Sequence, residues 1–143
     1  VRFSSTRKFA TLLIAVFDPS AITFTYVNAG HNPGLWLSQR GVSLLPSGGV
    51  PVGMMSGVTH KQAAIQVAPG DTLLLYSDGI TEALNGADEE FGMERLTALA
   101  SEGREQPPGE LSRRIFGAVS EFTTGVAQYD DQTVLIARVV ATS

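Results

Sequence analysis

The chain has 143 residues, 43% of them hydrophobic and 17% charged, with a formal net charge of −4. That apolar content, beside a charged share under the ~25% usual for soluble domains, excludes a disordered chain, and the acidic balance argues against nucleic acid, whose phosphates are held by Lys and Arg. There is no cysteine, which excludes disulfides, thiol nucleophiles and thiolate metal sites.

A length near the commonest domain size predicts a single domain over 1–143 with one core. Residues 10–17, Ala-Thr-Leu-Leu-Ile-Ala-Val-Phe, read as a strand buried on both faces, because the run is short and apolar. Its unbroken apolar part, Leu12 to Phe17, is far short of the ~20 residues that span a bilayer. No charged start with an apolar stretch and cleavage site opens the chain. Together with the missing cysteines, this points to the cytoplasm. Asp18-Pro19-Ser20 is turn chemistry. Residues 22–28 then alternate, with Ile22, Phe24 and Tyr26 on one side and Thr23, Thr25 and Val27 on the other. They predict a half-buried strand in a hairpin with the first.

The segment Ala29 to Gly34 makes the next turn, and two short strands are expected at Leu35–Leu37 and Val42–Leu45. Pro46 to Gly57, with two prolines and four glycines, is a loop. Residues 61–67 suggest another strand. Pro69-Gly70-Asp71 turns into Thr72 to Tyr76, a buried strand ending at Ser77-Asp78-Gly79. The period then changes. Phe91, Leu96 and Leu99 among acids suit an amphipathic helix. Leu111, Ile115, Phe116, Val119 and Phe122 suit a second, entered through Pro107-Pro108 and stopped near Gly125. A strand over 133–140 closes the chain. Strands, then helices, then a strand predict an α+β fold, a mostly antiparallel sheet with helices on a face. A strand buried on both faces needs neighbours, and only nine residues precede it. The chain is therefore expected to be the later part of a larger domain.

Charge is unevenly spread. Residues 1–70 hold one acid, Asp18, against five bases, whereas residues 71–143 hold 13 acids and five bases. A site built from carboxylates must draw on the second half. Asp78, at the end of a buried strand, reads either as a turn residue or as a rigidly held metal ligand. Glu82 reads as a solvated helix acid or a further ligand. Asp130-Asp131 is either a solvated turn pair or a second strand-end carboxylate. Hard cations such as Mg²⁺ and Mn²⁺ need such oxygens to converge. His31 fits a tight turn, with a catalytic role as the alternative; His60 has no context suggesting a site. Two separated histidines without cysteine make zinc a poor match. The glycines at 48–53 match neither phosphate-cradling pattern, and Gly53-Met54-Met55-Ser56-Gly57 misplaces serine for a nucleophile elbow.

Taken in order, Asn28-Ala29-Gly30-His31-Asn32-Pro33, Pro51-Val52-Gly53, Pro69-Gly70-Asp71, Ser77-Asp78-Gly79-Ile80-Thr81-Glu82-Ala83, Phe91-Gly92-Met93-Glu94-Arg95-Leu96 and Asp130-Asp131-Gln132-Thr133 resemble the SpoIIE/RsbU-like branch of the 2C-type metal-dependent serine/threonine protein phosphatases. The resemblance runs from about Phe9 to Val140. It implies an antiparallel β-sandwich flanked by helices and a two-metal site of Mn²⁺ or Mg²⁺ in which activated water, not a protein nucleophile, attacks phosphorus. By position it implies Asp78 and Asp130 as metal ligands, Asp130 being preferred to Asp131. It assigns no role to Asn28, His31 or Glu82. The family's first metal-binding segment, of the Gly-Asp-x-Ser-Gly type, has no match here. Part of the metal site is thus expected from a segment not present, and these 143 residues alone are expected to be inactive and to associate with a second copy. The implied activity is that of a bacterial, cytoplasmic phosphatase. Its implied substrate is phosphoserine or phosphothreonine on a regulatory protein of the anti-sigma-factor-antagonist type. The alternative is a non-catalytic module of the same fold that docks a partner.

Overall fold

The computed structural model describes residues 8–46 and 48–141; Ser47, at the expected loop, lies outside the described residues. The chain forms two compact units. One takes the chain up to Pro33 together with Pro46–Val67; the other takes Gly34–Leu45 and the chain from Ala68 onward.

The first unit holds β1 (Leu12–Asp18), β2 (Thr23–Ala29) and β5 (Gln62–Gln66) in an antiparallel sheet of order β1-β2-β5. The hairpin turn forms for the reason its sequence suggests. Asp18 Oδ1 accepts the Ser20 and Ala21 N–H groups at 2.8 and 3.1 Å, an Asx turn that closes the chain on itself. In β2 the alternation holds: Phe24, Tyr26 and Asn28 are buried, with Thr23, Thr25 and Val27 between them half-buried. Ile22 departs from the expected pattern. It is exposed and takes a positive φ of 50° at the turn exit.

The expectation for the first strand is corrected. β1 is an edge strand whose described pairing is with β2 alone, and its Leu12, Ile14 and Val16 are exposed, Val16 at 61%. An apolar run shows that side chains avoid water, but a strand's position in its sheet depends on what pairs beside it.

The second unit holds β3 (Gly34–Ser38), β4 (Gly41–Leu45), β6 (Thr72–Tyr76) and β7 (Val134–Arg138) in an antiparallel sheet of order β4-β3-β6-β7. Helices α1 (Asp78–Thr81), α2 (Gly92–Glu102) and α3 (Pro108–Phe122) complete it. The apolar core lies here. Leu35 and Leu37 of β3 and Leu74 and Tyr76 of β6 meet Leu96 and Ala100 of α2 and Leu111, Ile115 and Val119 of α3. Spacings of four along each helix put these residues on one buried face. Proline at the first position of α3 supplies a preset φ where no N–H partner is needed. β6 is interior, and four of its five residues are buried, as its unbroken apolar sequence predicts. Arg138 of β7 secures the sheet to the α2–α3 connection, donating to Thr72 Oγ1 and to the Arg104 and Glu105 carbonyls. The fold is α+β with two antiparallel sheets, and no helix among the described residues is long and apolar enough to cross a membrane.

Candidate functional site

Asp78 follows directly from the end of the interior strand β6 and opens the single-turn helix α1. Asp130 sits in a bend four residues before β7. Because β6 and β7 are neighbours, with Tyr76 opposite Val134, the two segments reach the same end of the sheet. Ser77 ties them together. Its hydroxyl donates to the Asp131 carbonyl at 2.9 Å and accepts the Thr133 N–H at 2.9 Å, while its own N–H donates to the Thr133 carbonyl at 3.0 Å.

Gly79 permits this approach. A Cβ on Gly79 would lie 2.4 Å from the Asp131 carbonyl oxygen and 3.4 Å from the Asp130 carbonyl carbon. Both are backbone atoms that cannot swing aside, and Gly79 does not have a positive φ. The turn, one of the two readings of Asp78-Gly79, is replaced by the start of a helix with a steric demand for glycine. Sequence reasoning missed Ser77 and Gly79 as organisers of the site. The signal was present, since a small polar residue and a glycine flank the strand-end aspartate.

Both aspartates are exposed. Asp78 Oδ1 accepts the Gly79 N–H at 3.0 Å, and Asp130 Oδ1 accepts the Asp131 N–H at 2.7 Å. Each carboxylate is held by a local backbone donor through one oxygen. Hard oxygen donors of this kind suit a divalent cation such as Mn²⁺ or Mg²⁺. They form only part of a shell: among the described residues, no three of His, Asp, Glu or Cys gather to hold an ion. Glu82 caps the end of α1 and is exposed, with a cavity beside it that Asp130 also lines.

Tyr76 anchors the strand end from below. It is buried, its hydroxyl donates to Met93 Sδ of α2, and burial pushes its pKa from 10.0 up to about 12. Asn28 and His31 belong to the other unit. Asn28 is buried and closes its own turn, Oδ1 accepting the His31 N–H at 2.8 Å and Nδ2 donating to the Asn32 carbonyl at 3.3 Å. His31 Nδ1 lies 3.2 Å from Thr11 Oγ1. Gly30, at a φ of 73°, supplies the left-handed residue the turn requires.

The profile of the family described as Stage II sporulation protein E (SpoIIE) matches residues 2–140. The chain belongs to the SpoIIE family. Protein IcfG of Synechocystis sp. is 35% identical over 132 residues, covering 89% of this chain and 20% of IcfG. Phosphoserine phosphatase RsbU of Bacillus subtilis is 28% identical over 134 residues, covering 91% of this chain and 39% of RsbU. The chain thus spans well under half of either relative. The Mn-presoaked phosphatase domain of SpoIIE from Bacillus subtilis superposes with a TM-score of 0.73 at 18% identity, covering 93% of this chain and 58% of that one. The resemblance carried by the motifs therefore holds. The α+β fold is that of the SpoIIE phosphatase domain.

Proposed function

We propose that this domain serves metal-dependent hydrolysis of phosphoserine or phosphothreonine on a cytoplasmic regulatory protein, of the anti-sigma-factor-antagonist type. The observation that carries the reading is the join made by Ser77 and Gly79, which fixes two aspartate-bearing segments of the family's motifs against each other at one end of a sheet. In this reading Asp78 and Asp130 each offer a carboxylate oxygen to a shared Mn²⁺ or Mg²⁺ centre, whose remaining ligands come from outside the described residues. When bound, the ions supply charge neutralisation at the phosphate and a lowered pKa for the attacking water. The chain's own part is positional. The Gly79 and Asp131 N–H groups orient the two carboxylates, and the buried Tyr76 keeps the end of β6 rigid beneath them. Support also comes from RsbU, whose name describes a phosphoserine phosphatase.

A second reading, a docking module without catalysis, draws on the absence among the described residues of three gathered ligands. One assay separates the two. The full-length protein is given a phosphoserine protein substrate with Mn²⁺ and then with excess chelator. Phosphate release that the chelator abolishes supports the enzyme; binding without release supports the docking module.

A further inference from the structure

We infer that the cavity beside Asp130 is a subsite for the polypeptide flanking the phosphoserine, taking an aliphatic side chain with a neighbouring Lys or Arg; the inference rests on the phosphatase reading above. The cavity, ≈ 190 Å³, opens between the end of α1 and the α3–β7 connection. It is smaller than the roughly 300–1,000 Å³ of a small-molecule site, but it has room for one side chain. Its walls carry Leu84, Val126 and Tyr129, all of them exposed, and the Tyr129 ring is entirely in solvent at 100%. A fully solvated aromatic beside two exposed aliphatics, around a concavity, is what a contact surface offers before its partner arrives.

The charges select the partner. Among the described residues, the charged side chains lining the cavity are Glu82 and Asp130, with no Lys or Arg beside them; with Asp130 given to the metal, Glu82 carries the free charge. Asp131, also exposed, adjoins it in sequence. An acidic flanking segment would be repelled here, whereas a basic one is attracted. Asp130 is both a wall of this cavity and a proposed metal ligand. A peptide whose phosphate is at the metal centre therefore has its adjacent residues within reach of Leu84, Val126 and Tyr129.

The test compares two phosphoserine heptapeptides, one flanked by leucines and lysines and one by glycines and glutamates, using the full-length protein with Mn²⁺. The expected kcat/KM favours the first by at least about tenfold, the scale on which apolar pockets discriminate. Leu84→Ser and Val126→Ser each lower that ratio by removing apolar wall without adding charge, and Tyr129→Ala lowers it without threatening the fold, since nothing packs on its ring. Glu82→Gln lowers the ratio only in part, because the charge contribution is lost and the apolar one kept. A ratio near one in the wild type, or one unmoved by all three wall variants, overturns the subsite. A change in sedimentation of Tyr129→Ala with an unmoved ratio makes the patch a contact between copies instead. Wild-type turnover of p-nitrophenyl phosphate is read alongside. If it occurs without peptide discrimination, the subsite alone fails; if it does not occur, the phosphatase reading fails and the subsite with it.

Discussion

The hydroxyl of Ser77 donates to the backbone carbonyl of Asp131, 54 positions along the chain, at 2.9 Å. The same oxygen accepts the Thr133 N–H, so one side chain serves two backbone groups of the turn that carries Asp130. Gly79, two residues on, has no Cβ and lets the Asp131 carbonyl come close.

From this contact we predict that Gly79→Ala destabilises the domain by about 1–3 kcal/mol, as overpacking against backbone does. Ser77→Ala should cost about 1–2 kcal/mol for the two lost hydrogen bonds. Gly86→Ala is the control, because nothing lies within 4 Å of its Cβ position, and it should be near neutral. Urea unfolding midpoints measure all three. Equal midpoints for the Gly79 and Gly86 variants would remove the steric role of Gly79.

Tyr76 gives a prediction in alkali. Its pKa is raised by burial to about 12 from 10.0, so the fold keeps a proton that the unfolded chain releases. Stability should therefore fall as pH rises from about 10 to about 12 and show no contribution from this group below that window. Tyr76→Phe should unfold less steeply across the same range, as a pH series of urea midpoints would show. An identical alkaline slope in the variant would mean that the phenol titrates as freely folded as unfolded.

Much of the fold was legible because its elements carry an internal period. β2 alternates, and α2 and α3 repeat their apolar residues at helical spacing, so type and buried face both follow from side-chain order. β6 was legible as a buried run because turn residues bound it on both sides. β1 has the same kind of run yet is an edge, and nothing within Leu12–Phe17 distinguishes the two positions. The site was legible as residue types and not as geometry. Asp130 is preferred to Asp131 on the family resemblance alone, because β7 begins only at Val134 and no strand alternation acts on the pair. The distinction that remains is that Asp130 lines the cavity near α1 while Asp131 gives its carbonyl to Ser77. Nothing in the local sequence marks Tyr129 and Val126 as exposed walls of a cavity. Their exposure comes from the path of the α3–β7 connection, which depends on contacts made far away in sequence.

The exposed face of β1 predicts association. Ile14 and Val16 are 52% and 61% exposed on a strand with an unpaired edge among the described residues, a combination that recruits other strands. The 143-residue chain should therefore sediment as more than a monomer at micromolar concentration, and Val16→Lys should shift it towards monomer. A monomeric wild-type chain would contradict this.

The two adjacent aspartates should separate by activity. Asp131→Asn should keep most phosphoserine hydrolysis in the full-length protein, because its contribution to the join is a backbone carbonyl that the substitution leaves in place. Asp130→Asn should lose far more. The reverse ranking in a Mn²⁺-dependent assay would make Asp131 the ligand and Asp130 the turn residue.

The most direct measurement is the rate of Mn²⁺-dependent phosphoserine hydrolysis in Asp78→Asn and Asp130→Asn beside the wild type, all in the full-length protein, with circular dichroism as the check on folding. Each substitution removes one charge and almost no volume, and both side chains are exposed, so the fold should survive. A loss of at least about 10²-fold is expected in each, since metal activation of water and charge stabilisation carry much of such a rate. Near wild-type turnover in either folded variant would contradict this expectation.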